Sequence, residues 1–414
     1  MSLDVNISEP EEFDCVELHT CLKSVAERLG IGNFEYHVDY ISGGRENFVA
    51  NIFRVVIRDT DKNEIQSVIV KTLVNTTRQE LFHDIHKREV TVYNDILPRF
   101  KEVQEKIDAE KRVLLPECLY SNADRSKEII ILRDLSESGF VGDDTLAEFK
   151  ELNLNQVQLI LTELAKFHAL SFVLENQDYE DYCKIKVKFE DILYQENFLC
   201  KSKLRNYFFE SYDMSVNLVT DSEARKKLLK ARPKLLELLK MYNQPSKHSV
   251  LCHGDLWVNN MLFKKESDHS KICFIDFQAM RCASPATDIV YFMYLCTTSK
   301  FRSEHFKQLQ SDYYDTLNST LKDYDINVNL VYPRDEFEKD VRENLPLGLL
   351  IALVELRILT LTPEDEAVMK GNANIPGWDW IPGEVELYKY RVNDIVDESV
   401  ENGVLELLMS KVNV

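Results

Sequence analysis

The chain lacks the surplus of basic residues that is typical of nucleic-acid-binding proteins. Its 414 residues include 50 lysines and arginines against 70 acidic residues, which gives a formal charge of −20. Nucleic-acid binding depends on neutralising phosphates with lysine and arginine, so this balance predicts no nucleic-acid partner. With 44% hydrophobic and 29% charged residues, the composition is otherwise that of a globular protein.

C-x-x-C pairs of cysteines are also missing, and neither a leader segment nor a membrane span is expected. The nine cysteines form no C-x-x-C pair, and their odd number and irregular spacing predict reduced thiols in a cytoplasmic protein. The opening residues, MSLDVNISEPEEFD, hold no apolar segment, so we expect no signal peptide. The apolar run from Leu345 to Val354 ends at Glu355 and predicts a buried helix, not a membrane span.

Strand patterns precede helix patterns along the chain. Residues 47–58 and 66–73 predict paired strands, and 128–132 predict a buried strand. Apolar spacing predicts a helix over 78–97 that Pro98 stops or kinks, and the charged segment 101–112 predicts a solvated helix. Long helices dominate after residue 135, apart from a hairpin at 261–276. We therefore predict an α+β fold with two lobes, a strand-rich, nucleotide-binding N-lobe of residues 1–133 and a helical C-lobe of residues 134–414.

The motif H-G-D-x4-N, from His253 to Asn260, indicates phosphoryl transfer most directly. Asp255 follows a predicted buried strand, and a carboxylate there can accept the proton of an attacking hydroxyl. Asn260 offers an amide oxygen and Asp276, in Ile275-Asp276-Phe277, a carboxylate oxygen. Magnesium prefers such ligands. The predicted hairpin between them would bring Asn260 and Asp276 together, so we predict a Mg²⁺ site next to a catalytic Asp255.

Lys71 lies in the apolar strand pattern VIVKTL, where an unpartnered lysine is costly. Kinase-like folds place such a lysine on the nucleotide phosphates and hold it with a glutamate of the following helix. Glu89, eighteen residues later, is the predicted partner. An edge-strand lysine that reaches into water is the alternative interpretation.

The remaining nucleotide contacts are predicted for backbone groups. The loop from Ser42 to Asn47, including Gly43 and Gly44, could cover the phosphates with its amides, although it does not match G-x-G-x-x-G. Adenine would bind where the lobes join, from Leu132 through Asp134.

Several polar and aromatic residues are given structural interpretations. His168 is expected to make one hydrogen bond in a helix core, and His83 with His86 lacks an evident third metal ligand. Trp257 either packs under the motif or lines the acceptor pocket. The same two alternatives, a pocket wall or loop packing, stand for Trp378 and Trp380.

Taken together, these segments resemble the ecdysteroid kinase-like family, also called CHK kinase-like. The resemblance is carried by GGRENF, VIVKTL, KREVTVYNDILP, IILRDL, LAKFHALSF, HGDLWVNNMLF, FIDFQ and SPATD. The family belongs to the aminoglycoside phosphotransferase and choline kinase superfamily and has a protein-kinase-like fold. The resemblance implies ATP and Mg²⁺ as cofactors, Asp255 as catalytic aspartate, Asn260 and Asp276 as metal ligands, and Lys71 with Glu89 at the phosphates. It also implies that Asp288 braces the motif.

The expected activity is phosphorylation of a hydroxyl on a small molecule, an ecdysteroid or another lipophilic metabolite such as a dietary toxin. Two alternatives remain open. The acceptor could be choline, ethanolamine or an aminoglycoside, or the protein could bind a hormone or nucleotide without chemistry. A protein kinase is disfavoured because the H-R-D, D-F-G and A-P-E landmarks are missing.

Overall fold

The computed structural model describes most of the chain. The described residues are 7–8, 17–40, 50–73, 79–142, 152–202, 204–265, 270–360 and 385–413. Gly43, Gly44, Asn47, Trp378 and Trp380 therefore lie outside the described residues.

The described chain contains eleven strands and fifteen helices, numbered in chain order. The strands are β1 (Ile7–Ser8), β2 (Phe34–Tyr40), β3 (Ala50–Asp59), β4 (Ile65–Leu73), β5 (Cys118–Asn122), β6 (Ile129–Arg133), β7 (Val141–Gly142), β8 (Val250–Cys252), β9 (Met261–Lys265), β10 (Ser270–Phe274) and β11 (Arg281–Ala283). The helices are α1 (Leu18–Leu29), α2 (Gln79–Thr91), α3 (Leu97–Gln104), α4 (Leu154–Gln177), α5 (Tyr179–Lys188), α6 (Glu196–Ser202), α7 (Leu204–Leu218), α8 (Ser222–Ala231), α9 (Leu235–Tyr242), α10 (Ala286–Cys296), α11 (Ser299–Lys322), α12 (Val328–Val331), α13 (Arg334–Leu359), α14 (Val385–Glu401) and α15 (Val404–Val412).

Two compact units divide the chain, and both are discontinuous in sequence. The first comprises Met1–Lys101, Leu114–Asp143 and Met261–Gln278, and the second comprises Glu102–Val113, Asp144–Asn260 and Ala279–Val414. The late segment belongs to the first unit because its strand β9 pairs with β7. The lobe boundary between residues 133 and 134 stays a prediction.

A six-stranded sheet in the order β1-β2-β3-β4-β6-β5 forms the centre of the first unit. Its pairs are antiparallel except β1 with β2. Helix α1 packs its apolar stripe on one face of this sheet, where Leu22 and Val25 join Val55, Val68 and Val70 in the core. Alternate residues of a strand face opposite sides, so Lys71 faces away from this core.

The hairpin predicted at 261–276 is present as β9 and β10. Its register pairs Met261 with Phe274 and Lys264 with Lys271. Strand β7 adds to the free edge of β9 and completes a three-stranded sheet. Asn260 directly precedes this hairpin in sequence, and Asp276 follows it by two residues.

The second unit is mostly helical, and α10 and the C-terminal half of α13 lie in its core. Every residue of α10 is buried. Gly348 lets α13 approach α10 closely, because a Cβ atom at this position would lie 2.6 Å from the ring of Tyr294. A two-stranded sheet of β8 and β11 lies in the same unit. Together with the sheets of the first unit, these helices confirm the predicted α+β class.

The structure contradicts one local prediction and part of another. Pro98 does not stop the helix: the chain remains helical as far as Gln104, because a wide π-helical turn over Val92–Ile96 precedes the proline, which then occupies the first turn of α3. A kink at Pro98 stays a prediction. The segment 101–112 is not one helix. Helix α3 ends at Gln104, and the only further helical residues there are the short 3₁₀ turn Ala109–Lys111.

Helix α4 passes a length and composition test for crossing a membrane, with a mean hydropathy of 1.4 over its most apolar window. Of that window, 67% is buried inside the protein. The core helix of a water-exposed protein passes the same test, so the predicted absence of a membrane span stays a prediction.

Candidate functional site

Three charged side chains of the first unit, Lys71, Glu89 and Asp276, form what we call the lysine cluster. The Lys71 ammonium lies 2.8 Å from Glu89 Oε2 and 2.8 Å from Asp276 Oδ1. Lys71 and Glu89 are 6% and 1% exposed. The pairing of Lys71 with Glu89 that the sequence predicts is therefore present, and Asp276 is a second partner.

Burial and charge determine the protonation of the lysine cluster. Burial alone would lower the pKa of Lys71, but the carboxylates of Asp276 and Glu89 raise it, so the lysine is held as a cation. Burial raises the pKa of Glu89, and the charge of Asp276 raises it further. Two carboxyl groups share one ammonium, so the cluster has a surplus negative charge, which suits an added cation, when both of them are ionised.

The backbone at Asp276 adopts an unusual conformation that aims its carboxylate. Its φ angle is +65°, in the left-handed region that non-glycine residues seldom occupy. Such conformations persist where the surroundings hold them and cluster at functional sites. Phe277, the next residue, packs its ring against Tyr93 at a centroid distance of 6.0 Å and gives Glu89 a backbone hydrogen bond.

In the second unit, the residues from His253 to Asn260 form what we call the HGD turn, which follows β8. Gly254 has φ +86°, and a Cβ atom there would lie 2.1 Å from the carbonyl oxygen of Ala279. Only glycine meets both constraints, so the sharp turn after the buried strand depends on it. The ring of His253 accepts a hydrogen bond from the backbone N–H of Asp255 at 3.3 Å, as expected for a residue that organises the turn.

Asp288, in the first turn of α10, braces the HGD turn. Its carboxylate accepts hydrogen bonds from the backbone N–H groups of His253 at 2.6 Å and Gly254 at 2.9 Å. His168 Nε2 donates to the same carboxylate at 3.1 Å, and Tyr313 bonds His168 Nδ1 at 2.7 Å. Burial alone would raise the pKa of Asp288, but the hydrogen bond from His168 and the N–H of Gly254 bring it below its usual range.

The Asp255 carboxylate is oriented from two sides. The hydroxyl of Tyr291 donates to Oδ1 at 2.7 Å, and the side-chain amide of Asn260 donates to Oδ2 at 3.0 Å. The same amide nitrogen also bonds the backbone carbonyl of Asp255 at 2.8 Å. Burial and the charge of Asp255 raise the pKa of Tyr291, so its hydroxyl stays protonated and keeps donating. This arrangement fixes a carboxylate that can receive a proton.

Sequence reasoning missed two polar residues around Asp255. Tyr291 lies three residues after Asp288, one turn along α10, and only this spacing could have suggested it. Glu355 interrupts the apolar run of α13, and its pKa responds to the charge of Asp255. A carboxylate in a buried helix is a usable sequence signal, but the sequence does not show which residues it faces.

One group of described residues has its ligand atoms spaced as a metal site requires. His168, Cys252 and Asp288 have ligand atoms within 4.8 Å of one another. Both ring nitrogens of His168 are already hydrogen-bonded, and Asp288 holds the HGD turn, so this group is structural. Asp276, in the first unit, and Asn260, in the second, stay predicted Mg²⁺ ligands, and their carboxylate and amide oxygens are hard donors of the kind that Mg²⁺ prefers.

The residues predicted to contact adenine lie at the end of β6. Leu132 pairs with Ile69 of β4. The Asp134 side chain accepts hydrogen bonds from Arg54 at 2.6 Å, Ser67 at 2.8 Å and the N–H of Ser136 at 2.9 Å. Its carboxylate is therefore engaged within the first unit, and the predicted nucleotide contacts of both residues concern their backbone groups.

Comparison with known proteins decides the family. The family model described as the ecdysteroid kinase-like family matches residues 44–326, more than half of the chain. The chain belongs to the ecdysteroid kinase-like family. The resemblance to this family that was expected from the sequence is thereby confirmed.

Individual relatives are distant. A Caenorhabditis elegans protein named "Uncharacterized oxidoreductase dhs-27" is 21% identical over 370 residues, which cover 84% of this chain and 43% of that protein. The chain thus spans less than half of that relative.

Solved structures are similar at lower identity. An ethanolamine kinase of Plasmodium vivax is 12% identical with a TM-score of 0.45, over 95% of this chain and 91% of the other. A choline kinase of Cryptosporidium parvum is 14% identical with a TM-score of 0.47, over 96% and 99%. Both TM-scores are below 0.5, so the assignment rests on the family match.

Proposed function

We propose that the protein transfers the γ-phosphoryl group of ATP, with Mg²⁺, to a hydroxyl of a small molecule, an ecdysteroid or another hydroxylated lipophilic metabolite. One observation carries the proposal most strongly. A buried lysine, Lys71, is held by Glu89 and by Asp276, and kinase-like folds use a lysine paired in this way to bind the nucleotide phosphates. The ATP, the metal and the ecdysteroid acceptor are parts of this proposal.

On the donor side, Lys71 would bind the phosphates, and Glu89 would hold its ammonium in place. Backbone groups from Gly43 to Asn47 would contact the phosphates, and those of Leu132 and Asp134 would contact the adenine. A positioned cation stabilises negative charge on the transferred group, because it needs no reorganisation during the reaction.

On the acceptor side, Asp255 would orient the attacking hydroxyl. The hydroxyl oxygen forms a bond to the γ-phosphorus, the bond from that phosphorus to the bridging oxygen of ADP breaks, and the hydroxyl proton passes to Asp255. The hydrogen bonds from Tyr291 and Asn260 support this role, because they fix the carboxylate before the acceptor arrives.

Asn260 and Asp276 are the proposed magnesium ligands. Their oxygen atoms and the surplus negative charge of the lysine cluster fit a hard divalent cation. Magnesium would neutralise charge on the phosphates. Lys71 would share this task while keeping Asp276 in position.

An amino alcohol acceptor, such as choline or ethanolamine, is the second candidate. It is favoured by the two carboxyl groups, Asp255 and Glu355, that lie among buried tyrosines in the second unit. Carboxylates and aromatic rings stabilise an ammonium group. A cytoplasmic setting is part of the proposal, supported by eight free cysteines among the described residues.

The decisive experiment is a screen of acceptors with purified full-length protein and labelled ATP. The panel contains ecdysone, other steroid alcohols, choline and ethanolamine. Asp255→Asn should lower kcat by about a hundredfold or more, equivalent to about 2.7 kcal/mol of barrier. Asp315→Asn is the matched control, because Asp315 is an exposed α11 residue paired with Arg334. Equal turnover by Asp255→Asn and the control would remove the assignment.

A further inference from the structure

A carboxyl group interrupts the most buried stretch of α13. Residues 349–354 are all buried, and Glu355 follows them. The hydroxyl of Tyr207, on α7, donates a hydrogen bond to Glu355 Oε2 at 2.9 Å. Among the described residues this neutral hydroxyl is its hydrogen-bonding partner, and the described ion pairs include none to Glu355. A carboxylate placed this way costs stability, so its presence calls for a functional reason.

Glu355 belongs to a cluster around Asp255 in the second unit. Three tyrosines contribute hydroxyls from three different segments: Tyr194 before α6, Tyr207 on α7 and Tyr291 on α10. They are 5%, 4% and 9% exposed. Burial is the main cause that raises the pKa values of Tyr194 and Tyr291, and the charges of Asp255 and Glu355 raise them further. We call these five residues the acceptor cluster.

The two carboxyl groups are the accessible members of the acceptor cluster. Asp255 and Glu355 are both partly exposed, whereas the three tyrosines are buried. Both carboxyl groups are therefore partly accessible to solvent, and Tyr291, which bonds Asp255, lies on α10, the helix that packs on the α13 helix of Glu355.

Two arginines and a further aspartate lie next to the cluster. Arg281 lies beside Tyr194 and donates to Asn243 at 2.7 Å. Arg357 lies beside Tyr207 and also acts on Tyr388 of α14. Asp191 accepts a hydrogen bond from the N–H of Tyr194 at 2.9 Å. Three carboxyl groups thus stand against two guanidinium groups, so this region has no surplus of positive charge that would favour a carboxylate or phosphate on the acceptor.

We propose, on the basis of the phosphotransferase function above, that Glu355 is an acceptor-binding residue that hydrogen-bonds a second donor group of the acceptor, near the hydroxyl that Asp255 orients. The acceptor class is an alcohol that carries a further hydroxyl or an amine close to the reacting hydroxyl. Tyr207 is the positioning residue that holds the Glu355 carboxyl.

Protonation separates the two kinds of donor. Burial, with a smaller contribution from the charge of Asp255, raises the pKa of Glu355 to about 7, although the hydrogen bond from Tyr207 acts in the opposite direction. Glu355 gains its negative charge as the pH rises through this value. Binding of an ammonium group therefore strengthens as the pH rises, whereas a hydroxyl finds a hydrogen-bonding partner in either form.

The test compares acceptors that differ only in the second donor. The pairs are ethylene glycol with its monomethyl ether, ethanolamine with choline, and a steroid diol with its monomethyl ether. Turnover and ligand-induced shifts in Tm are measured for the full chain and for Glu355→Met, Glu355→Gln and Tyr207→Phe, below and above neutral pH. Glu163→Gln is the matched control, because Glu163 is also a carboxyl whose pKa burial raises, and it pairs with Lys166 on α4.

Glu355→Met should lower kcat/KM for the donor-bearing member of the accepted pair by about tenfold to a hundredfold, mainly through KM. The methyl ethers should change by less than about twofold, and choline, which keeps its charge but has no N–H donor, should lose less than ethanolamine does. Glu355→Gln should retain more of the preference and lose its pH dependence. Tyr207→Phe should weaken the preference less than Glu355→Met does.

Failure of this inference differs from failure of the phosphotransferase proposal. Equal losses for both members of a pair, or a wild-type preference for the methylated members, would overturn the role of Glu355 while leaving kinase activity intact. Compounds that raise Tm in a Glu355-dependent way without being phosphorylated would support Glu355 and contradict the activity. If the protein neither binds nor phosphorylates any member of these pairs, the proposed acceptor class is wrong.

Discussion

Buried ionisable side chains of the first unit differ in how their charge state is stabilised. Lys71 is held as a cation by two carboxylates, Glu89 and Asp276. His86, on the same helix as Glu89, is 2% exposed and is held neutral. Its Nε2–H donates to the backbone carbonyl of Asn122 at 3.0 Å, while Nδ1 has no partner among the described residues. A second proton would have to enter at this unpartnered atom.

His86 should make the protein less stable in mild acid. Burial, with a smaller contribution from the charge of Lys71, lowers the pKa of His86 from 6.5 to about 4. Between these values the unfolded chain binds a proton that the folded chain does not, so the free energy of unfolding falls as the pH falls. The free energy of unfolding, measured in urea, should fall between about pH 7 and pH 5, and His86 should account for about 2 kcal/mol of that fall.

Comparison of variants isolates this effect. His86→Gln keeps an N–H donor for Asn122 but does not titrate, so its stability should depend less on pH by that amount. His19→Gln changes an exposed ring and should retain the wild-type dependence. An unchanged pH dependence in His86→Gln would contradict the assignment to this ring.

Lys71 and Glu89 could be predicted from the sequence, because a charged residue within an apolar strand pattern is conspicuous. A lysine in the apolar strand VIVKTL needs a partner, and helix spacing indicates Glu89. The contact of Lys71 with Asp276 joins residues 205 positions apart, so neither periodicity nor local spacing reveals it. The same limit applies to Tyr291 and Glu355, whose relation to Asp255 depends on the packing of α10 and α13.

At the scale of elements, the contact of α10 with α13 depends on one glycine. Gly348→Ala would improve the intrinsic helix propensity by about 1 kcal/mol. However, the added Cβ would lie 2.6 Å from the ring of Tyr294, which is itself buried against Arg302. Overpacking of this kind costs about 1–3 kcal/mol, so after the gain in helix propensity we expect net destabilisation of up to about 2 kcal/mol in urea unfolding.

A second alanine substitution serves as the reference. Gly142 lies in β7, and a Cβ atom there meets nothing within 4 Å. Gly142→Ala should change stability by less than about 0.5 kcal/mol. If Gly348→Ala is as stable as Gly142→Ala, the two helices can separate without cost, and the close approach is not required.

Element prediction succeeded where one face of a segment is buried and failed where local rules compete. The alternation in β3 and β4 and the run of α13 gave correct elements, because burial imposes a period. Pro98 was expected to stop or kink a helix, but the chain stays helical there. A π-helical turn precedes the proline and places it in the first turn of α3, where its missing N–H is tolerated. The charged residues after Gln104 have good helix propensity, yet Arg112 uses its side chain to bond the carbonyl of Ile107 at 2.8 Å in a non-helical turn.

At the scale of the whole molecule, the first unit is built from separated parts of the chain. The spacing of apolar residues predicted a strand-rich first part and a helical second part of the chain, and both are present. It did not predict that Met261–Gln278 belongs with the first part, because strand pairing between β7 and β9 leaves no trace in local periodicity.

A fragment of residues 1–143 should therefore be incomplete. It lacks the strand that pairs with β7 and the second carboxylate bound to Lys71. Hydrogen exchange should show amides in β4 and β6 protected at least about tenfold less than in the full chain, because the buried lysine loses half of its compensation. Adding a peptide of residues 258–280 should restore part of the protection, and the same peptide with Asp276→Asn should restore less. Full protection in the fragment alone would refute this.

The separation of Lys71 from Asp276 has a consequence during synthesis on the ribosome. After β7 has left the exit tunnel, the stretch Asp144–Asn260 must be translated before the hairpin exists, a delay on the order of ten seconds. Throughout that interval the nascent sheet holds a half-compensated ammonium. Chaperones that shield emerging chains would have their longest opportunity to act on this protein there, and slow codons placed after the hairpin would help it more than slow codons placed before it.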